Sequence, residues 1–423
     1  MQVKTVKLNF ILNIIRLFLS TAFILLITPY ITRVLGPENL GKVEYANSII
    51  IYLINFTALG IPVYGIREVA KYRDNQKELS KILIELSLIL FVTTIVGYII
   101  LTLLLYKTFL EIRDIMLVTS VNLLLSNMGF EWFYQGIENQ LYITKRFILV
   151  RVLALIATFL FVRNERDYLI YAFILVILQS GSSILNFINL RKYITFNRIK
   201  LVGKRKLGNQ RIIKRQKRSR PSGSICPTVA TTIYLQLDSV MIGNINKEAV
   251  GIYTVPNKLI RMILVIITAL GSVLLPRITN CLKNKDYKNY NIYMNTSLNY
   301  IFFISIPVTV SCFLLAGNII NIMAGSQFKD SVLTMKILSP ILFTIGISYF
   351  LGFQLLYPLG LERYYTYSVI VAAIVNFIFN YLMIPKYLQN GAAMGTVIAE
   401  AIGPLIMLFF ARKYLKKIKI NCF

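Results

Sequence analysis

"PSGSICPTVATTIYLQLDSVMI", Pro221 to Ile242, decides the fold. Eleven other stretches of the chain read plainly as membrane-spanning helices, and this one sets the count at eleven or twelve. Its second half is apolar, but a basic tract runs up to its start. Of the seventeen residues from Lys204 to Arg220, nine are Lys or Arg and none is acidic. The rest of the sequence has to say whether such a segment crosses.

The background is strongly apolar. A soluble domain carries about 25% charged residues; this chain of 423 residues has 15%, with 56% hydrophobic residues and a mean hydropathy of +0.65. Apolar runs of about 20 residues recur along it, each enough to cross a hydrocarbon core of roughly 30 Å. The class is all-α: a polytopic membrane protein. The first run is too long for a cleaved signal and has no small-residue cleavage site before "TPYITRVLG". The net charge of +28 would suggest nucleic acid in a soluble protein. Here Lys and Arg lie mostly in short connections, where they set topology, and no nucleic-acid partner is expected. Cys226, Cys281, Cys312 and Cys422 are scattered without a CxxC pair, so neither a disulfide framework nor a metal site is implied. The absence of histidine excludes His relays, His metal ligands and Ser-His triads. There is no GxxxxGK[ST] phosphate loop either.

The clear spans are Leu8–Ile31, Val43–Tyr64, Ile82–Leu105, Ile115–Tyr134, Phe147–Val162 and Tyr168–Leu190 in the first half. Val255–Leu275, Ser297–Leu315, Val332–Leu356, Tyr367–Ile384 and Ala392–Phe410 follow in the second. Loop charge then settles the doubtful segment. With Lys4 and Lys7 in the cytoplasm, the connection "REVAKYRDNQKELSK" falls inside with five basic residues, as does the one bearing Lys145 and Arg146. If Pro221–Ile242 crosses, the "RITNCLKNKDYK" loop and the tail "ARKYLKKIKI" also fall inside. If it does not, both face outward against the positive-inside rule. Twelve helices is the consistent count, with both termini cytoplasmic.

An internal repeat agrees. "TALG" at Thr57–Gly60 returns at Thr268–Gly271, an offset of 211 residues, and "GKVEYAN" at Gly41–Asn47 parallels "GIYTVPN" at Gly251–Asn257, an offset of 210. Arg67 and Arg277 share the offset of 210. Six helices per half is an even number, so both halves share one orientation. That is the parallel-repeat architecture of a transporter, with the substrate site expected between the halves. The expected divisions are an N-terminal bundle at 1–200, a basic cytoplasmic connection at 201–220 and a C-terminal bundle at 221–423.

Charged residues inside spans cost roughly 2.5–3.5 kcal/mol on insertion scales and by default face a cavity. Arg16, in "FILNIIRLFLSTAFILL", is the clearest; its alternative is to snorkel to the cytoplasmic headgroups. Asp238, in "TTIYLQLDSVMIG", lies about a turn from the outer end of its span, where either a helix-end surface role or a cavity role is open. Arg261 could pair with Asp238 or bind an anion. Glu85 lies near a cytoplasmic end and reads as solvated. Glu400 sits mid-helix in "GTVIAEAIGPLIM", among small residues suited to close packing. Pro62 and the pair Pro358 and Gly360 mark places where a bundle could flex, or ordinary helix ends. Gly60 and Gly271, paired by the repeat, could serve close packing alone.

Several stretches together resemble the polysaccharide-unit (O-antigen, Wzx-type) flippases of the MATE-like multidrug/oligosaccharidyl-lipid/polysaccharide exporter superfamily. They are "PYITRVLGPENLGKVEYANS", "YGIREVAKYRDN" and "EWFYQGIENQ", the last with Trp132, Gln135, Gly136 and Glu138. "TTIYLQLDSVMIG", "VGIYTVPNKLI", "LPRIT" and "FQLLYPLG" follow in order. The resemblance implies a V-shaped pair of six-helix bundles in the bacterial cytoplasmic membrane. It also implies transfer of an undecaprenyl-pyrophosphate-linked oligosaccharide to the outer leaflet by alternating access. No cofactor is implied, although coupling to an ion gradient or to the membrane potential is open. Partners would be the lipid-linked oligosaccharide, membrane lipids, and the polysaccharide polymerase and chain-length machinery. A pyrophosphate needs cations, and Arg can bind its oxygens bidentately; Arg16 and Arg261 are the candidates. Sugars need a polar lumen, which Asn13, Asn47, Asn257, Gln354 and Asn376 could line, with Asp238 and Glu400 as charged candidates.

Against this family the basic tract is anomalous, because it stands where the seventh helix should begin in apolar residues. Three readings are open: a frame slip or error in the coding sequence, a shortened helix after a long basic loop, or a basic site for anionic lipid or a partner. Two other functions compete with the flippase. A cation-coupled multidrug exporter of the same superfamily would favour acidic residues over Arg in its lumen. A membrane polymerase or glycosyltransferase of polysaccharide assembly would need a large outer loop, and the outer connections here are short.

Overall fold

The computed structural model describes residues 6–107, 109–193 and 236–418. The tract at 204–220 and most of the Pro221–Ile242 segment lie outside the described residues; 236–243 is helical. Regular structure among the described residues is helical throughout. The helices are α1 (Val6–Ala58), α2 (Ile61–Lys71), α3 (Gln76–Lys107), α4 (Arg113–Asn127), α5 (Glu131–Gly136), α6 (Gln140–Phe161) and α7 (Tyr168–Leu190). After 236–243 come α8 (Lys247–Lys283), α9 (Tyr287–Leu314), α10 (Ala316–Ala324), α11 (Ser331–Leu338) and α12 (Ile341–Tyr349). A π-helical stretch, Phe350–Leu356, continues α12, and α13 (Glu362–Ile418) ends the order.

Two of these helices are too long to be single spans. At 1.5 Å per residue, α1 and α13 would each extend roughly 80 Å, more than twice a hydrocarbon core. Each is broken. In α1 the break is at Gly36 (φ 69°, ψ 176°), a conformation open to glycine, with Pro37 next. In α13 it is at Leu388 (φ 47°), three residues after Pro385. Among the described residues, seven helical stretches have the length and apolarity to cross a membrane, and two of them contain these breaks. Shorter α4, and α6 with its Lys145, Arg146 and Arg151, are further helices of the first unit. Large apolar side chains such as Phe18, Leu103, Phe303, Leu405 and Phe409 are exposed, as hydrocarbon solvent requires.

The chain divides into two compact units: Met1–Leu35 with Ala46–Pro221, and Gly36–Tyr45 with Ser222–Phe423. The first has its core where α2 and α5 meet, around Ile61, Val69, Leu86, Trp132, Phe133 and Tyr134. A Cβ on Gly65 would stand 2.4 Å from the Trp132 ring, and one on Gly136 would stand 2.7 Å from Val69. The "YGIREVAK" and "EWFYQG" motifs are thus two halves of one contact. The second core gathers Ile278, Tyr290, Met294, Phe350, Leu351 and Leu356. In this unit the repeat markers Gly41 and Gly251 meet. A Cβ on Gly41 would lie 1.9 Å from the Lys247 carbonyl, and one on Gly251 would lie 2.0 Å from the Pro37 carbonyl. Beside them the Lys258 ammonium pairs with Glu44 at 2.5 Å, and the Tyr45 hydroxyl bonds Asn244.

Several spans differ from the sequence reading, three of them for reasons visible at a single turn or cap. Val43–Tyr64 is interrupted at Leu59 (φ 49°) and Gly60 (φ 71°), after which α2 starts with Pro62 in its first turn. Ile115–Tyr134 stops at Asn127, because Phe130 turns left-handed (φ 50°) and α5 begins anew. Val255–Leu275 extends to Lys247–Lys283, since Asn246 caps its start by accepting the Ala249 N–H at 3.0 Å. Gly60 and Gly271 also part company. Gly60 serves a turn, whereas a Cβ on Gly271 would sit 2.0 Å from the Gln354 amide nitrogen and 2.4 Å from the Tyr349 ring.

Candidate functional site

In the second unit, the chemistry centres on Asp238. Its helix-end surface reading fails, because the residue is 2% exposed. One carboxylate oxygen accepts from the Tyr253 hydroxyl at 2.5 Å and the Thr396 hydroxyl at 2.7 Å. The other accepts the side-chain amides of Asn380 at 2.7 Å and Asn376 at 3.3 Å. α8 supplies Tyr253 and α13 the other three. Asn376 and Asn380 are four apart on α13, hence on one face, and Asn380 also donates to the Asn376 oxygen at 3.1 Å. All four donors are neutral. The expected Arg261–Asp238 pairing is replaced by a bond from the Arg261 Nε to the Asn257 oxygen at 3.0 Å, one turn back on α8. The carboxylate is thus a buried acceptor whose two oxygens are filled by hydroxyl and amide hydrogens.

Gln354 is fully buried on the π-helical stretch, and neither its amide nitrogen nor its oxygen has a hydrogen-bond partner. Glu400 is half-buried on α13, within electrostatic reach of Tyr365. Glu85 is exposed.

The first unit holds cations instead. Arg16 on α1 donates to Asn13 at 2.9 Å and lies within electrostatic reach of Glu131 and Arg146. Arg146 was expected in a cytoplasmic connection beside Lys145. The structure places it within α6, 4% exposed, with its guanidinium on the Glu131 carboxylate. A second bond runs to the Ser182 carbonyl at 3.3 Å, and the guanidinium lies 5.5 Å from the Tyr142 ring and 5.8 Å from the Tyr134 ring. The loop reading fails because α6 starts at Gln140, six residues ahead of Arg146, capped by Asn139, whose side chain accepts the Tyr142 N–H at 3.4 Å. Further along α6, Arg151 lies 4.8 Å from the Phe147 ring and 5.1 Å from the Phe23 ring. Arg16 and Phe23 are seven residues apart, on one face of α1. Phe23 and Arg151 thus bring α1 and α6 together, while Arg146, five residues from Arg151, stands on a different side of α6. The Nε atoms of Arg146 and Arg151 are buried without a partner.

A neutral network accompanies these cations. Asn47 accepts from Gln179 at 3.1 Å, and Asn122 donates to Gln179 at 2.5 Å. Ser180 donates to Asn122, and Ser126 lies 2.8 Å from Ser180. Nearby, Asn127 donates to Thr57 and Thr94, each at 2.8 Å. Of the residues singled out from sequence, Arg16 stands with the cations, Asn47 with this network, and Asp238 with Asn376. Asn257 and Arg261 bond each other. Arg146, Arg151, Glu131, Tyr253, Asn380 and Thr396 were missed. The four-residue spacing of the two asparagines was the one available signal.

Comparison with known proteins sets these sites in context. The family described as polysaccharide biosynthesis protein matches residues 7–282, and the MatE family matches 224–382. A candidate O-antigen transporter of Escherichia coli (strain K12) is 24% identical over 395 residues, 92% of each chain. Among solved structures, a multidrug resistance MATE family transporter of the MOP superfamily, inward-facing, superposes with a TM-score of 0.73 at 15% identity, covering 95% of this chain and 96% of that one. The lipid II flippase MurJ, in an inward closed conformation, gives a TM-score of 0.71 at 18% identity, covering 98% and 90%.

Proposed function

The chain belongs to the polysaccharide biosynthesis protein family, and from that premise we propose that it is a flippase for a lipid-linked oligosaccharide. Its cargo is an undecaprenyl-pyrophosphate-linked repeat unit, carried across the bacterial cytoplasmic membrane for surface polysaccharide assembly by alternating access. It is a transporter, not an enzyme, and both termini are cytoplasmic. The observation that carries the reading is the set of cations in the first unit: Arg146 on the Glu131 carboxylate, Arg16 on α1, and Arg151 against the Phe23 and Phe147 rings. Three guanidiniums within apolar spans are expensive to insert and call for an anionic partner. Diphosphate oxygens match the planar fork of Arg. The neutral network around Asn47, Asn122 and Gln179 supplies hydroxyl and amide groups suited to sugars.

Asp238 supports a second element, coupling to an ion gradient. A charged carboxylate at membrane depth is costly, and Asn would fit the same four partners at less expense, so the charge itself has a use. The multidrug-exporter reading draws on this acidic site alone and leaves the three arginines without a role. The test is export in a strain lacking its own flippase. Arg16→Ala should abolish export while leaving membrane insertion intact, and Arg16→Lys should restore it partly, since it keeps the charge and loses the fork. Full activity of the alanine variant would reduce Arg16 to a snorkelling anchor.

A further inference from the structure

We infer that Glu131 is a built-in counter-ion for Arg16 and Arg146, which the anionic group of the cargo displaces on binding and which reclaims Arg146 on release. The inference rests on the flippase reading and adds to it the device that keeps the cation site from holding its cargo too tightly.

The burial of the pair is lopsided. The Arg146 side chain is nearly sealed while its partner carboxylate is 44% exposed. A bond that merely secured the fold would bury both ends. Here the cation is fixed from behind by the Ser182 carbonyl and the Tyr134 and Tyr142 rings, and its anion stands on the open side. The Arg146 Nε still lacks a partner with Glu131 in place, so a single carboxylate does not use the full donor set of the guanidinium. A diphosphate offers more oxygens and matches paired arginines. Arg16 lies within reach of the same carboxylate. Arg146 on Glu131, with Arg16 bonded to Asn13 instead, leaves net positive charge, and a diphosphate diester, with two negative charges, balances the two arginines once Glu131 withdraws.

The backbone holds Glu131 in position. It opens the short helix Glu131–Gly136, whose two flanks carry left-handed non-glycine residues, Phe130 (φ 50°) and Glu138 (φ 57°). Such conformations cost on the order of 1–3 kcal/mol each and persist where surrounding packing holds them. The packing is the wedge of Trp132 and Gly136 against α2. The helix is therefore clamped on its apolar side while the first residue presents its carboxylate to Arg146. This gives the "EWFYQG" motif a role for its acidic residue as well as its rings.

The test uses the purified full-length protein in nanodiscs of neutral lipid, with farnesyl diphosphate as probe and farnesol as control, read by calorimetry. Wild type should prefer the diphosphate. Glu131→Gln should bind it at least ~5-fold more tightly, because the competitor for the arginines is gone. Glu131→Asp should bind it as wild type does. Unchanged or weaker binding by Glu131→Gln overturns the counter-ion role and leaves the pair as structural. No preference of the wild type for diphosphate over farnesol overturns the flippase reading itself. If Glu131→Gln fails to accumulate, the double variant Glu131→Gln/Arg146→Gln, which removes both charges, decides. It should fold and bind the diphosphate at least ~5-fold more weakly than wild type; equal binding refutes the inference.

Discussion

Replacing Asp238 in two ways separates its structural work from its charge. In Asp238→Ala, four buried donors lose their acceptor: the Tyr253 and Thr396 hydroxyls and the amides of Asn376 and Asn380. All four have a second contact: Thr396 with the Ala392 carbonyl at 3.0 Å, Asn380 with the Asn376 oxygen at 3.1 Å, and the Asn376 amide and the Tyr253 hydroxyl with the Thr396 hydroxyl at 3.4 and 3.5 Å. Tyr253 and Asn376, left with the longest contacts, are hit hardest. Hydrogen bonds between membrane helices average about 0.6 kcal/mol in double-mutant cycles, and an orphaned buried donor costs about 1–3 kcal/mol. Four weakened donors, two of them nearly orphaned, give a loss of about 2–4 kcal/mol. Asp238→Asn differs. Its oxygen can still accept the two amides, and its new amide can donate to the hydroxyls of Tyr253 and Thr396, which turn from donors into acceptors. The fold should then lose no more than about 1 kcal/mol.

The assay pairs the thermal midpoint of the detergent-solubilised protein with export in a flippase-deficient strain. Asp238→Ala should melt several degrees below wild type and Asp238→Asn close to it, yet neither should export. If both variants fell by the same amount, hydroxyl reorientation would not be rescuing the network and the geometry above would be wrong. If Asp238→Asn exported normally, the carboxylate charge would have no part in coupling.

Two further predictions concern packing and orientation. Gly41→Ala places a methyl 1.9 Å from the Lys247 carbonyl, an obstruction of backbone, and should destabilise the second unit by about 1–3 kcal/mol or more; Gly317→Ala, with nothing within 4 Å, is the control and should change the melting midpoint little. A cysteine placed at Gln76, at the start of α3, should resist an impermeant thiol reagent applied outside intact cells, and rapid labelling there would reverse the proposed topology.

What the sequence disclosed and what it hid divide along physical lines. Apolar length is a local quantity, so the spans were legible, and Gly41 and Gly251, singled out by their shared offset, turn out to touch. Burial of a charge is not local. Arg146 follows Lys145 and precedes Phe147, and by the positive-inside rule the basic pair reads as the edge of a loop. Only the partner reveals otherwise, and Glu131 lies fifteen residues upstream on a separate short helix. Asp238 was visible as a lone carboxylate in an apolar run, but its amide and hydroxyl partners stand as far as 158 residues along the chain. Neutral Asn and Thr leave little mark on hydropathy, so nothing singled them out together.

The two units then bear on one another as an internal comparison. Their charged groups differ in sign. The first unit carries Arg16, Arg146 and Arg151, with Arg146 on the Glu131 carboxylate; the second carries Asp238 among neutral donors. On the proposed function the labour is divided: the arginines of the first unit hold the anionic cargo, and Asp238 in the second couples its transport to an ion gradient. Arg16→Ala should therefore abolish diphosphate binding while leaving the melting midpoint nearly unchanged, and Asp238→Asn should leave both binding and midpoint nearly unchanged and stop export alone.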